Sequence, residues 1–353
     1  MTPQDRTAGD TSSSPSVDRV PTLDGLRALS IVFVFVAHQY AYDPFADELG
    51  VMGVRIFFII SGYIITALLA RERLRTGLVS LRGFYARRTL RILPPLAAYV
   101  GSVYLGNALG LARGVGVGDL LFVATFTVNY APHINYLVGH LWSLGVEEQF
   151  YLLWPILYVV SGRRIAVLIG VVVAVPLLRL APDLGLVPSV NAGKSFHTVA
   201  DSLATGCLVA LSSASGRWSR FVARLPHAVA LGVLVAGVCG SIAWARGSLG
   251  LGHVFAPSLA NLAVAIFLAK EVRPSRSLSF RVLNWSPVVA LGHLSYSLYL
   301  WQQPFLFHSA VPKFYTAFPL NFIIVFSLAL LSYHFIELPA LKLRRRLTGR
   351  VIL

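Results

Sequence analysis

Apolar runs follow one another through almost the whole chain, separated by short polar or basic connections. A helix crossing a bilayer needs roughly 20 mostly apolar residues. With that length and the flanking breakers, the pattern predicts helices at 23–41, 51–70, 93–111, 141–160, 165–180, 196–212, 227–245, 254–270, 287–308 and 318–337. A further apolar run at 119–130 is too short to span and is expected to stay on one side or turn back. The expected class is all-α: a polytopic transmembrane helical bundle of about ten transmembrane helices.

Charge orients this bundle. The connection 71–92 carries Arg71, Arg73, Arg75, Arg82, Arg87, Arg88 and Arg91. Further basic groups are Arg163 and Arg164, then Arg217, Arg220 and Arg224, then Lys270, Arg273, Arg276 and Arg281. Arg344, Arg345, Arg346 and Arg350 close the chain, whereas loop 42–50 carries Asp43, Asp47 and Glu48. Cytoplasmic loops collect Lys and Arg, so the basic connections are read as cytoplasmic, with both termini cytoplasmic too. Residues 1–20, rich in Ser, Thr, Asp and Pro, read as a disordered cytoplasmic tail. Residues 21–341 form the membrane domain and 342–353 a basic cytoplasmic tail. No signal-peptide pattern opens the chain, so the first helix is expected to be a retained anchor.

Composition agrees. The 353 residues are 56% hydrophobic and only 13% charged, too apolar for an ordinary soluble domain. A net charge of +15 would suit nucleic acid, but the basic residues are dispersed through short loops and form no nucleic-acid-binding motif. Nucleic acid is therefore not an expected partner, and the lipid bilayer is. Cys207 and Cys239 lie in different apolar runs without metal-type spacing, so they read as packing residues and no metal site is expected.

Four patches carry candidate chemistry. Arg27 and His38 stand eleven residues apart on the first helix. That is about 16 Å and three turns, which places them on nearly one face at different depths. Ionisable groups inside a spanning helix are costly and usually functional, although Arg27 snorkelling to the interface and His38 packing in the interior is the plainer reading. Glu147 and Glu148 follow His140 in the segment His140–Tyr151. They point about 100° apart, so at most one is expected to face an interior site. A carboxylate beside His38 would fix its tautomer for base catalysis. Arg87, Arg88 and Arg91 precede Pro94 and Pro95, which read as a helix start. These arginines suit lipid headgroups or a phosphorylated ligand. Ser61 and Gly62 form a small pair in the second helix, suited to close packing or to lining a narrow path. Asp201, Glu337, His197, His293 and His334 are further polar residues in apolar runs, each read as structural.

The motifs Arg-x10-His (Arg27 to His38), FFIISGY (57–63), FYARRTLRILPP (84–95), LWSLGVEEQFYLLWP (141–155) and LGHLSYSLYLWQQP (291–304) occur in this order. Together they resemble the acyltransferase-3 family of integral membrane O-acyltransferases, from about Leu23 to Arg346. The resemblance implies a multi-pass enzyme of the cell (inner) membrane whose acyltransferase domain is the segment 21–341. It implies a cytosolic acyl-CoA donor, acetyl-CoA or another acyl-CoA, with no tightly bound cofactor. The implied acceptor is a hydroxyl of a cell-envelope or exported carbohydrate. On this reading His38 is the general base or a transient acyl carrier, and Glu147 orients it. Arg27 stabilises the oxyanion or holds donor phosphate, while Arg87, Arg88, Arg91 and Ser61 contact the donor. The family often has Trp-His-x-Pro late in the chain, where this sequence has Trp301-Gln302-Gln303-Pro304. No SGNH-type hydrolase domain follows, so transfer is expected to end here or to pass to a separate partner. The alternatives are O-acylation of a small secondary metabolite, such as a macrolide sugar, and an acyl-group exporter without final transferase activity.

Overall fold

Helix α1 (Pro21–Gln39) opens on a proline, whose missing N–H has no partner to lose in a first turn. Helix α2 (Pro44–Thr76) starts behind Asp43, whose carboxylate accepts from the Phe45 and Ala46 N–H groups, both at 2.9 Å. It stops at Gly77, which takes the left-handed conformation (φ 75°) that ends a helix without a Cβ penalty. Helix α3 (Leu81–Ala108) is capped by Ser80, whose hydroxyl accepts from the Gly83 N–H at 3.1 Å. The computed structural model describes residues 20–111, 114–162, 164–186, 191, 193–212, 216–246, 251–306 and 314–348.

Two expectations change here. The basic connection at 71–92 shrinks to residues 77–80, because α2 and α3 absorb the rest. Pro94 and Pro95 do not start a helix; they lie inside α3. They remove two interior N–H donors, and beside the break the Tyr296 hydroxyl donates to the Ile92 carbonyl at 2.9 Å. Arg87, Arg88 and Arg91 therefore stand on helical turns and not in a loop.

Helices α4 (Val117–Ala124) and α5 (Tyr136–Gly139), with a 3₁₀ turn at Val128–Tyr130 between them, connect α3 to α6 (Trp142–Val160). The 119–130 run thus makes only an eight-residue helix and a turn. There follow α7 (Arg164–Leu178), α8 (Phe196–Ser212), the basic amphipathic α9 (Gly216–Arg224), α10 (His227–Arg246) and α11 (Gly252–Glu271). Next come α12 (Leu278–Leu283), α13 (Ser286–Trp301) and the turn α14 (Gln303–Leu306). Helix α15 (Leu320–Ser332) passes through a π-helical turn at Tyr333–Glu337 into α16 (Leu338–Thr348). The helix expected at 287–308 ends at Trp301, before Gln303-Pro304. The expected basic tail from Lys342 is helical as far as Thr348, while residues 1–19 and 349–353 of the two expected tails, with Arg163, lie outside the described residues.

Among the described residues the chain is all-helical without strands. Five helical stretches, Pro21–Gln39, Pro44–Thr76, His227–Trp244, Gly252–Glu271 and Leu320–Arg344, are long and apolar enough to cross a bilayer. Close backbone contact sets their register. A methyl on Gly50 would lie 2.4 Å from the Ala37 Cβ, and one on Gly53 2.7 Å from the Ser30 carbonyl oxygen. This antiparallel pairing puts Arg27 level with the Ile60–Ser61 stretch of α2, and His38 level with its first turns. Where α2 crosses α8, a methyl on Gly62 would sit 2.1 Å from the Leu203 oxygen, and one on Gly206 2.0 Å from the Ile59 oxygen. The Ser-Gly pair does serve close packing.

A buried ion cluster ties α2, α7, α8 and α11 together. Asp201, fully buried, meets Arg179 at 2.7 Å, Ser258 at 2.6 Å and Arg55 at 3.9 Å. Arg179, just past α7, also donates to the carbonyls of Thr198 and Val254 at 2.8 and 2.9 Å. Arg55 donates to Ser202 at 3.2 Å. Two guanidinium groups thus share one carboxylate.

Candidate active site

Arginines from four helices converge on a cleft of about 220 Å³ at the Arg27 end of the bundle. Arg27 comes from α1, Arg71 from α2, Arg87, Arg88 and Arg91 from α3, and Arg344 from α16. Against these six stand two acids in the lining, Asp24 and Glu337. Arg88 and Arg91 are three residues apart and Arg87 and Arg91 four, spacings that bring helical side chains to one side. The Arg88 guanidinium carbon lies over the Tyr151 ring, 3.6 Å from its centre, a cation–π contact in which a planar guanidinium and a lysine ammonium are not interchangeable. Arg87 pairs with Glu72 at 3.2 Å, across the turn between α2 and α3.

Arg27 does not stand alone. Asp24, one turn earlier on α1, holds it at 3.2 Å and with its other oxygen meets His293 Nε2 of α13 at 3.1 Å. Asp24 is nearly fully buried, so the pair anchors the Arg27 guanidinium at the cleft wall. An acidic residue three before an arginine on a helix is a readable signal, and sequence inspection passed over it.

Ser61 lines the same cleft and leads to Glu147. The Ser61 hydroxyl donates to Glu147 Oε1 at 2.7 Å, and the Tyr151 hydroxyl donates to Oε2 at 3.1 Å. The expected Glu147–His38 pair does not form: Glu147 sits at the depth of Arg27, and its two oxygens go to α2 and to its own helix. The expectation that only one of the two adjacent carboxylates faces inward also changes. Glu148 is half-buried, with Oε1 out of contact with solvent and within range of the Arg88 and Glu147 charges.

His38 lies at the other end. Its neighbours there are Gln302, between α13 and α14, and His140, at the start of α6. From His140 to Glu147 is seven residues, about 10 Å along the helix. Helix α6 thus links the His38 layer to the arginine cleft, packed against α2 and α8. The His140 ring packs edge-on to Tyr99, 5.4 Å between centres, and against Tyr299 at 5.2 Å. The Tyr299 hydroxyl bonds the His140 carbonyl and Ser143, the latter at 2.7 Å. His140 stands immediately before the LWSLGVEEQFYLLWP motif, but nothing in its sequence spacing announces that it meets His38.

The structure therefore brings Arg27, Ser61, Arg87, Arg88 and Arg91 into one cleft, places Glu147 at its inner edge, and leaves His38 a helix-length away. Arg55, Arg179, His140 and Gln302 join the set of buried polar groups that pattern reading did not single out as sites.

The acyltransferase-domain model of the acyltransferase-3 family matches residues 20–333 of this chain. The peptidoglycan O-acetyltransferase OatA of Listeria monocytogenes is 27% identical over 354 residues, covering 92% of this chain and 56% of that protein. YrhL of Bacillus subtilis is 30% identical over 359 residues, covering 91% of this chain and 54% of its own length. The O-acetyltransferase OatA of Staphylococcus aureus is 27% identical over 361 residues, covering 92% and 57%. This chain spans little more than half the length of these relatives. No solved structure matches it. With the motif order, the all-helical membrane bundle and a match over nearly the whole sequence in agreement, the chain belongs to the acyltransferase-3 family of membrane acyltransferases.

Proposed function

We propose that this chain is a cell-membrane O-acetyltransferase that moves an acyl group from cytosolic acetyl-CoA, or another acyl-CoA, to a hydroxyl of a cell-envelope carbohydrate. The observation that carries the reading is the convergence of six arginines and Ser61 on one cleft. Such a cleft suits the phosphates of a nucleotide-bearing thioester, since guanidinium groups bind phosphate through paired, charge-assisted hydrogen bonds. Its outer rim lies among basic residues, which by the positive-inside rule is the cytoplasmic side. Ten crossings with both termini on that side follow when α1, α2, α3, α6, α7, α8, α10, α11, α13 and the α15–α16 pair each traverse once. The acceptor class comes from the relatives' names, which specify peptidoglycan or O-acetyl transfer.

The chemistry divides between the two polar layers. The arginines hold the donor's nucleotide, and its flexible arm reaches past Ser61 and Glu147 into the bundle. An acceptor hydroxyl attacks the thioester carbonyl, the C–S bond breaks, and the hydroxyl proton passes to His38 and then to the departing thiolate. Transient acylation of His38, followed by attack of the acceptor on that acyl group, uses the same residues. Arg27, fixed by Asp24, stabilises negative charge at the donor end.

The test is acetyl transfer by purified full-length protein in liposomes, with labelled acetyl-CoA and peptidoglycan fragments as acceptor. Donor-dependent labelling that disappears in His38→Ala supports the reading. Acyl movement across the bilayer without any labelled product would replace it with an exporter.

A further inference from the structure

Polar atoms buried without a hydrogen-bond partner are rare in native proteins, and a cluster of them calls for a ligand or water to complete it. One such cluster surrounds His140. Both of its ring nitrogens are buried without a well-formed hydrogen bond among the described residues, with only a loose approach to the Leu300 backbone. Both amide heavy atoms of Gln302, Gln303 Oε1 and Trp301 Nε1 are likewise buried without a well-formed hydrogen bond. These side chains are not loosely placed. His140 and Gln303 are each 5% exposed and Gln302 is 0% exposed. The Gln303 amide nitrogen is anchored on the Tyr136 carbonyl at 2.9 Å, so its oxygen is held with no freedom to seek solvent. Trp301 and His140 both pack against the Tyr99 ring, at 5.5 and 5.4 Å between centres. Gln302 faces His38.

We propose that His140 and Gln302, with the flanking Gln303 oxygen and Trp301 N–H, form the subsite that seats the hydroxyl groups of a neutral, polyhydroxylated acceptor beside His38. The proposal rests on the reading of His38 as the residue facing the acceptor. The chemistry of the cluster selects the ligand class. A neutral imidazole and a carboxamide each offer donor and acceptor together, and a hydroxyl also both donates and accepts. None of these orphan groups is a carboxylate or a guanidinium; the six arginines that would suit an anion are gathered at the other layer, and Lys194, the cation whose charge acts on His38, lies outside the cluster. Aromatic walls with a few fixed polar groups are the usual make-up of a small-molecule site. The donor and acceptor subsites thus stand at opposite ends of the Arg27–His38 separation, about 16 Å apart along α1.

The proposal predicts opposite signs for stability and binding. Replacing an unsatisfied buried amide with an apolar group of similar size removes a desolvation penalty, so Gln302→Leu should melt at the same or a higher temperature. A merely structural glutamine would melt lower on substitution. Binding of N,N′-diacetylchitobiose, a neutral disaccharide, to the purified full-length protein in detergent is measured by calorimetry alongside thermal unfolding. Saturable binding to the wild type, weakened at least tenfold in Gln302→Leu and in His140→Leu with no loss of melting temperature in Gln302→Leu, is the expected result. Binding that is absent in the wild type, or unchanged in Gln302→Leu, overturns the subsite. Because the readout is equilibrium binding, a protein that binds the sugar through Gln302 but transfers nothing from acetyl-CoA keeps the subsite and refutes the acyltransferase reading.

Discussion

Asp201→Asn tests how this bundle tolerates charge in its interior. Asp201 is fully buried and is approached by Arg179 at 2.7 Å and Arg55 at 3.9 Å. Two unit charges 4 Å apart attract by about 4 kcal/mol at an effective dielectric of about 20. Removing one member of a buried pair typically costs about 3–5 kcal/mol, because the partner stays buried without compensation. Here the loss strands two guanidinium groups that then repel each other, so Asp201→Asn should fall at the upper end of that range. Arg55→Met should be far milder. It leaves the Arg179–Asp201 pair neutral and intact, and forfeits mainly the Ser202 hydrogen bond, worth about 1 kcal/mol. The double variant should be more stable than Asp201→Asn alone, by about 2 kcal/mol, since it removes half of the stranded charge. Thermal unfolding of detergent-purified protein, followed by tryptophan fluorescence, reads all three. Equal losses for Asp201→Asn and Arg55→Met, or a double variant weaker than Asp201→Asn, would refute the idea that Arg55 is the surplus charge of the cluster.

Other expectations follow from the two polar layers and the packing between them. His38→Ala should lower acetyl transfer by roughly 10²–10⁴-fold, the usual weight of a general base, while the protein still inserts and purifies; unchanged transfer in membranes sinks its role. Arg88→Lys should raise the KM for acetyl-CoA almost as much as Arg88→Ala, because a lysine keeps the charge but not the guanidinium contact over Tyr151, and steady-state kinetics at low salt decide it. Ser61→Ala removes a 2.7 Å hydrogen bond to the Glu147 carboxylate, a contact worth about 1.5–3 kcal/mol, so the melting temperature should fall and transfer should drop tenfold or more; unchanged transfer would remove Ser61 from the donor path. Gly206→Val should block assembly of the bundle, since even a methyl there would lie 2.0 Å from the Ile59 carbonyl, so detergent extraction should yield aggregate; a well-behaved monodisperse protein would be the contrary result.

Much of this architecture can be read from hydropathy alone, and its failures have identifiable causes. The helices at 141–160, 196–212 and 227–245 match α6, α8 and α10 to within two residues, because apolar runs of that length have few alternatives. The stretch 71–92 reads as a loop in the sequence because charge and proline normally mark helix ends. Here α2 and α3 run on past the apolar segment: Arg73, Arg75 and Arg82 stand exposed on these turns, Arg71, Arg87, Arg88 and Arg91 turn into the cleft, and the helix continues through Pro94 and Pro95. The Glu147–His38 pairing failed for a different reason. Helical spacing tells which residues share a face of one helix, not how far a neighbouring helix is shifted along its axis.

The order of apolar runs, the clustering of arginine in the connections and the Arg-x10-His spacing are local properties, and they suffice for an all-helical membrane protein with polar groups at two depths. The pairing of those groups required the folded chain. Glycine contacts such as Gly53 on Ser30 and Gly62 on Leu203 set the axial shift between helices. That shift puts Glu147 beside Ser61, gathers Arg27, Arg71 and Arg344 with the α3 arginines, and leaves His140 and Gln302 beside His38. Helix register depends on contacts between different segments, 23 positions apart for Gly53 and Ser30 and 141 for Gly62 and Leu203, and no periodicity within one segment encodes it.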